Sequence, residues 1–387
     1  MKRVISLLNI VLVLGLVVTA SAPPVPLTAQ GLGGVVDDGS GAARAPSPPD
    51  GEAPALEKKA SAQALPSYME LVFASNSGGT WDIWNDTIQD IRLLTSDPVG
   101  AHTPRAAPGG GRVAFVSDRD GNPEIYVVDY DKTNERRLTY NEHAEWHPSW
   151  SHSGNRLVFS SDRDGDDHEI YIMDVDGSYV TRLTYNDDWD SWPVYSPDGT
   201  EIIFTTLSPL GDYDIWIMNA DGSQQRALIA NPAVDEYLPA WFPDGTEIAF
   251  TMWDPLVGDD EIWKFTLASG LMANLTNNPT SNDWAPVVSP DGAWIAFFSD
   301  RTVDDEVWVM PSVGGAGNET NISSDPVADD RFPDFSWARM SVRSGAWEQA
   351  STWIPNGVPS QRDRVLIRNG DRVTITSGAK KVVRQLQ

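Results

Sequence analysis

The sequence predicts an all-β fold, a six-bladed β-propeller of four-stranded blades closed by its own C-terminal strand. Three observations predict it. A Phe that ends a short apolar run recurs at Phe73, Phe115, Phe159, Phe204, Phe250 and Phe297, with spacings of 42, 44, 45, 46 and 47 residues. The stretches between these positions are short alternating or β-branched runs separated by turn sequences, with no long amphipathic helical pattern among them. The first and last repeats are also out of phase, so that one can complete the other.

Each repeat carries further markers. An acid, a β-branched residue and an aromatic follow the Phe: Asp82-Ile83-Trp84, Glu124-Ile125-Tyr126, Glu169-Ile170-Tyr171, Asp214-Ile215-Trp216, Glu261-Ile262-Trp263 and Glu306-Val307-Trp308. Then comes Leu-Thr, at Leu94-Thr95, Leu138-Thr139, Leu183-Thr184 and Leu275-Thr276, decayed to Leu228-Ile229 and Ile322-Ser323. A proline closes the set, at Pro104, Pro148, Pro193, Pro239, Pro286 and Pro333. A period in the forties with four strand-like runs is the length of one propeller blade. Turns such as Ser196-Pro197-Asp198-Gly199 and Ser289-Pro290-Asp291-Gly292 put Pro where φ is fixed and Gly where φ must be positive.

The phase of the repeats predicts how the ring closes. The first copy begins at Met69-Glu70-Leu71-Val72-Phe73 with no proline strand before it, and the last proline strand, Arg331 to Phe335, has no Phe strand after it. Pairing these two removes the exposed edges that an open row of blades would keep. The propeller is expected over residues 67–338.

The flanks read differently. Lys2 and Arg3, an apolar run from Val4 to Val18 and the small residues Thr19-Ala20-Ser21-Ala22 follow the order of a secretory signal peptide, with cleavage expected after Ala20. A retained signal anchor is the alternative. Residues 21–66 are rich in Pro, Gly and Ala without periodicity, so a disordered linker is expected. Residues 339–387 read as a short β-rich tail, either a truncated β-helix domain or a hairpin cap.

The repeat Pro-x-Trp-Ser-Pro-Asp-Gly, Ile-Ala-Phe, Ser-Asp-Arg-Asp-Gly, Glu-Ile-Tyr, Leu-Thr resembles that of TolB-like propellers, and also those of prolyl oligopeptidase and tricorn-type peptidases. Ser117-Asp118-Arg119-Asp120-Gly121 and Ser161-Asp162-Arg163-Asp164-Gly165 carry it most closely. The resemblance covers about Tyr68 to Trp337. It implies the fold and, through TolB, an envelope protein or peptide as partner. Around Ser344-Gly345-Ala346-Trp347 and Asn369-Gly370-Asp371 the tail is similar to the opening of surface β-helix domains.

Composition narrows the partners. With 28 Lys and Arg against 55 Asp and Glu the net charge is -27, which repels nucleic acid and anionic lipid. The chain has no cysteine, which excludes disulfides, thiol nucleophiles and thiolate metal sites. No second apolar stretch follows the leader, so no membrane span is expected after cleavage; an exported monomer is expected, periplasmic, at the cell surface or extracellular.

One constellation is a candidate site. Three residues before the proline lies an acid in five repeats, Glu145, Asp190, Glu236, Asp283 and Asp330, with Ala101 in the sixth. The neighbouring residues include Trp146, Tyr237, Trp284 and Arg331. These positions are expected at a channel mouth, where acids and aromatics suit a peptide, a cation or a sugar. No cofactor is required, but Asp190, Glu236, Asp283 and Asp330 would suit Ca2+ as hard oxygen ligands. The structural alternative is that these residues lock adjacent blades together. The five histidines lie between His102 and His168, and His143 and His147 do not follow the metalloprotease order. The Asp-rich loop from Asp162 to Asp167 lacks the spacing of an EF-hand. No Gly-x-Ser-x-Gly elbow occurs.

Three function classes follow: an exported non-catalytic binding propeller, a polysaccharide lyase or hydrolase that uses the acids with a divalent metal, and a rigid spacer in a larger surface protein.

Overall fold

The computed structural model describes residues 69–337, apart from 88–89, 166, 210, 316 and 325–326, and short strands between 339 and 385. The expected leader and linker lie outside the described residues. Six four-stranded antiparallel sheets form the blades, each ordered from the channel outward. The second to sixth blades begin with the innermost strands Ala101–Ala106, Glu145–Trp150, Trp189–Tyr195, Asp235–Trp241 and Asp283–Val288. The innermost strand of the first blade is Asp330–Trp337, which pairs antiparallel with Met69–Ser75 in the register Leu71 to Phe335 and Met69 to Trp337. The ring is therefore closed by the C-terminal strand, as the phase of the repeats predicts.

The core lies between blades. Along the second strand of the first blade, Leu71 and Phe73 pack with Val287, Ala296 and Val309 of the sixth blade, while Val72 and Ala74 pack with Val113 and Phe115 of the second. Both faces of such a strand are covered, so it reads as a nearly continuous apolar run. Equivalent clusters fill the other seams, and the six repeat Phe side chains are at most 1% exposed.

The Leu-Thr marker has a hydrogen-bonding cause. The hydroxyls of Thr95, Thr139, Thr184 and Thr276 accept from the backbone N–H of Ile83, Ile125, Ile170 and Ile262 at 2.9, 2.9, 2.9 and 3.0 Å. Ser323 does the same for Val307, so its decay from Thr keeps the hydroxyl. In the fourth blade, where Ile229 replaces Thr, Ile229 instead pairs with Ile215 in the strand ladder. Gly177, at φ +88°, sits in a hairpin turn where a Cβ would stand 2.5 Å from the Leu138 carbonyl of the preceding blade, so this turn takes no other residue.

Beyond the propeller, Arg339–Ser341 pairs antiparallel with Trp353–Ile354 and parallel with Val365–Ile367, which pairs parallel with Arg384–Gln385. Gly345–Ala346 pairs parallel with Val373–Thr374.

Candidate functional site in the central channel

Each innermost strand breaks register once, between His102 and Arg105, Trp146 and Ser149, Ser191 and Val194, Tyr237 and Ala240, or Trp284 and Val287, and in the first blade opposite Val72 to Ala74. The residue in the bulge has a left-handed backbone in every blade: Thr103 (φ 44°), His147 (55°), Trp192 (52°), Leu238 (54°), Ala285 (51°) and Phe332 (51°). None is glycine, so each carries local strain of about 1–3 kcal/mol. The repeat proline follows directly. Its missing N–H suits a bulge, where a ladder hydrogen bond is absent anyway.

The bulges place large side chains in the channel. The Trp192 indole stacks on the His147 imidazole with centroids 3.6 Å apart and on the Phe332 ring at 5.4 Å, and Phe332 meets Phe298 edge-on at 5.2 Å. Burial lowers the His147 pKa well below the usual histidine range, so the stack is neutral. On the side of this stack where the innermost strands end lies a cavity of about 400 Å³ to which all six blades contribute. Trp150, Tyr195 and Trp241 supply aromatic surface, Pro197, Pro243 and Pro290 supply turn rings, and Arg105 and Asp334 supply charge. Asp334 accepts from the backbone N–H of Ala106 at 2.8 Å. Burial pushes its carboxyl up to about 6 against the pull of the neighbouring Arg105. Burial likewise lowers the Arg105 guanidinium from its usual value.

The residues singled out in the sequence lie where the innermost strands begin. Glu145, Asp190, Glu236, Asp283 and Asp330 are 0% exposed and lie at the opposite end of the strands from the cavity. Glu145 is paired with Arg163 and accepts from Ser161 and Asn141. Asp190 accepts from Thr206 and Asn186, both at 2.9 Å. Asp283 is paired with Arg301 at 2.5 Å. Burial raises Glu145 and Asp190 to about 7 and Glu236 to about 8.

The aromatic neighbours also bridge blades. Tyr237 and Trp284, from the fifth and sixth blades, both donate to Asp260, the indole at 2.7 Å. Trp146 is buried between His102 and His147. Arg331 donates to Asp305 at 2.6 Å and lies over Trp81. Among the described residues no three His, Asp or Glu side chains gather as a metal ion would need.

Two features escape sequence reasoning. The channel-facing position is one residue past the aromatic neighbours named above, and in a strand one residue is one face. In the second blade, which has Ala101 in place of the acid, Asp97 does the acid's work. It is paired with Arg119 at 2.8 Å and accepts from Ser117, as Glu145 does with Arg163 and Ser161. Asp97 occupies the repeat position of Asn141 and Asn186, so the carboxylate has moved four residues upstream.

Six four-stranded blades closed around a central channel with an aromatic-lined cavity define a six-bladed β-propeller. Its repeats are similar to those of TolB-like propellers, and the model of the TolB beta propeller domain matches residues 66–224. The Tol-Pal system protein TolB of Geobacter sulfurreducens is 39% identical over 72 residues, covering 18% of this chain and 17% of that protein. The protein of the same name from Desulfosudis oleivorans is 41% identical over 54 residues, 14% of this chain and 12% of that one. The chain thus matches less than a fifth of the length of these curated relatives. Among solved structures, TolB from Acinetobacter baumannii superimposes with a TM-score of 0.60 at 20% identity, over 70% of this chain and 67% of that chain. A chain of a Nidogen/Laminin complex gives 0.57 at 12% identity, over 70% and 98%. At these identities the likeness is one of fold.

Proposed function

We propose that this protein is an exported binding module of the cell envelope whose propeller takes an extended peptide segment of a partner protein. The observation that carries this reading is the cavity. It is about 400 Å³, and aromatic and proline faces line it together with the Arg105 and Asp334 side chains. Flat apolar walls with a few placed polar groups suit a peptide, whose side chains fill the walls while its amides and carboxylates meet the charges. The Arg105 guanidinium makes no hydrogen bond among the described residues, so its donors remain for a ligand oxygen. The relatives named for the Tol-Pal system and the leader-like N-terminus support an envelope setting. The acids that a lyase reading needs at an open mouth are buried.

The test is photo-crosslinking in the producing cell's envelope from a probe at His152, on the cavity wall. One protein should be captured through a linear segment. Arg105→Gln should lower its affinity by about tenfold, or about 1.4 kcal/mol. Capture that is unchanged in Arg105→Gln and Trp241→Ala would count against the cavity as the site.

A further inference from the structure

The seams between blades repeat one electrostatic arrangement. The acid at the start of a blade's third strand faces the acid that enters the innermost strand of the next blade, and in four seams the chain supplies an arginine to at least one of the two. Between the second and third blades Arg137 pairs with Glu124 at 2.5 Å and Arg163 with Glu145. Between the third and fourth Arg182 pairs with Glu169 at 2.5 Å. Between the fifth and sixth Arg301 pairs with Asp283 at 2.5 Å. Between the first and second Arg119 pairs with Asp97 at 2.8 Å.

The seam between the fourth and fifth blades has the acids, Asp214 and Glu236, and neither arginine. In the ladder Arg137 lies opposite Tyr126 and Arg182 opposite Tyr171, but the residue opposite Trp216 is Ala227. Arg163 stands two residues past Ser161, the partner of Glu145. The partner of Glu236 is Met252, and two residues on stands Asp254. Glu236 has therefore lost both a hydroxyl and a guanidinium. It keeps a backbone hydrogen bond from Asn231 at 3.3 Å. Glu236 Oε1 and Asp214 Oδ1 are buried with no hydrogen-bond partner among the described residues. Asp212 and Asp235 are partly exposed beside them, so the notch is open to solvent and lined by four carboxyl groups.

The aromatic part of the arrangement remains. Arg163 lies over the cross-strand pair Phe159 and Tyr171 at 5.2 and 4.9 Å, and Arg301 over Phe297 and Trp308 at 5.3 Å each. The matching pair in the fifth blade is Phe250 and Trp263, in the same register. No cation of the described residues lies over it.

We infer that this seam is a binding site for a guanidinium group brought by another molecule, an arginine side chain of a partner protein. The fork of a guanidinium meets two carboxylates and stacks on an aromatic face, as Arg119, Arg137 and Arg301 do in other seams. The unpartnered oxygens of Glu236 and Asp214 take its N–H groups, and Trp263 takes its plane. This site lies at the end of the ring away from the cavity and does not depend on what the cavity binds.

The test uses N-acetyl-arginine amide as probe and thermal unfolding as readout. At ten times its dissociation constant the probe should raise Tm by about 3 °C. N-acetyl-lysine amide should do markedly less. Glu236→Gln should abolish the shift. The double substitution Met252→Ser, Asp254→Arg copies the third blade and supplies the guanidinium from within, so it should raise Tm without probe and abolish the response to it. A probe response that survives both variants overturns the inference, as does no response in the parent protein. An equal response to the lysine probe overturns it too. So does a response to CaCl2 alone that Glu236→Gln removes, which would make the notch a divalent-cation site.

Discussion

Trp192 and Phe332 stack on each other across the central channel, with centroids 5.4 Å apart and planes 27° from parallel. They belong to the fourth and first blades, which face each other across the ring. Both sit in left-handed bulges, and this turns their rings inward. The Trp192 indole also lines the cavity. Phe332→Ala removes a ring that is 3% exposed and ties opposite blades. It should destabilise the protein by about 3 kcal/mol, read from urea unfolding. A loss below about 1 kcal/mol would mean that the stack contributes little to holding the ring.

Ring closure makes a second prediction. Phe335 is 1% exposed in the seam between the first and sixth blades and is paired with Leu71. Phe335→Asp buries a charge without a partner at the one place where the ring is closed by strands distant in sequence. The expected outcome is loss of the cooperative thermal transition and aggregation from the freed edge, seen by scattering. A protein that stays monomeric and melts cooperatively would show that the ring does not need this strand.

The displaced acid of the second blade can be tested by moving it back. Asp97→Asn leaves Arg119 with only Glu135 as an acidic partner and should cost about 3 kcal/mol. Adding Ala101→Glu restores the pattern of the third blade and should recover most of that loss. Additive losses in the double-mutant cycle would show that Ala101 and Asp97 are not alternative positions for one carboxylate.

Glu236 predicts a pH dependence. Its carboxyl is raised to about 8, first by burial and then by Asp214, Asp212 and Asp235. A raised acid holds its proton in the folded protein after the unfolded chain has lost it. Stability is then lost progressively as pH rises from the unfolded value near 4.5 to about 8, and the loss is complete above that. Asp190, raised to about 7, and Asp214, raised to about 6, act in the same direction. Glu236→Gln should therefore melt with the parent protein at pH 5 and several degrees above it at pH 9. Equal melting temperatures at both pH values would mean that Glu236 ionises freely in the fold.

The sequence by itself determined the number of blades, the strands in each and the way the ring closes. These depend on local chemistry repeated six times: β-branched runs, Asp-Gly turns, a hydroxyl at Thr139 or Ser323 that holds its own blade, and a first repeat lacking the strand that the last repeat adds. It also located the acids, since Glu145 and Asp283 hold one position in successive repeats. Only the tertiary structure decided what those acids face. The bulge at the residue before each proline moves the channel-facing position from Trp146 or Tyr237 to His147 or Leu238, and alternation along a strand does not reveal that slip. The Trp192 stack, the Arg105 cavity and the arginine-free seam at Glu236 join residues of different blades. A repeat holds the backbone constant while each side chain meets a neighbour from another copy, so the site is decided where copies meet.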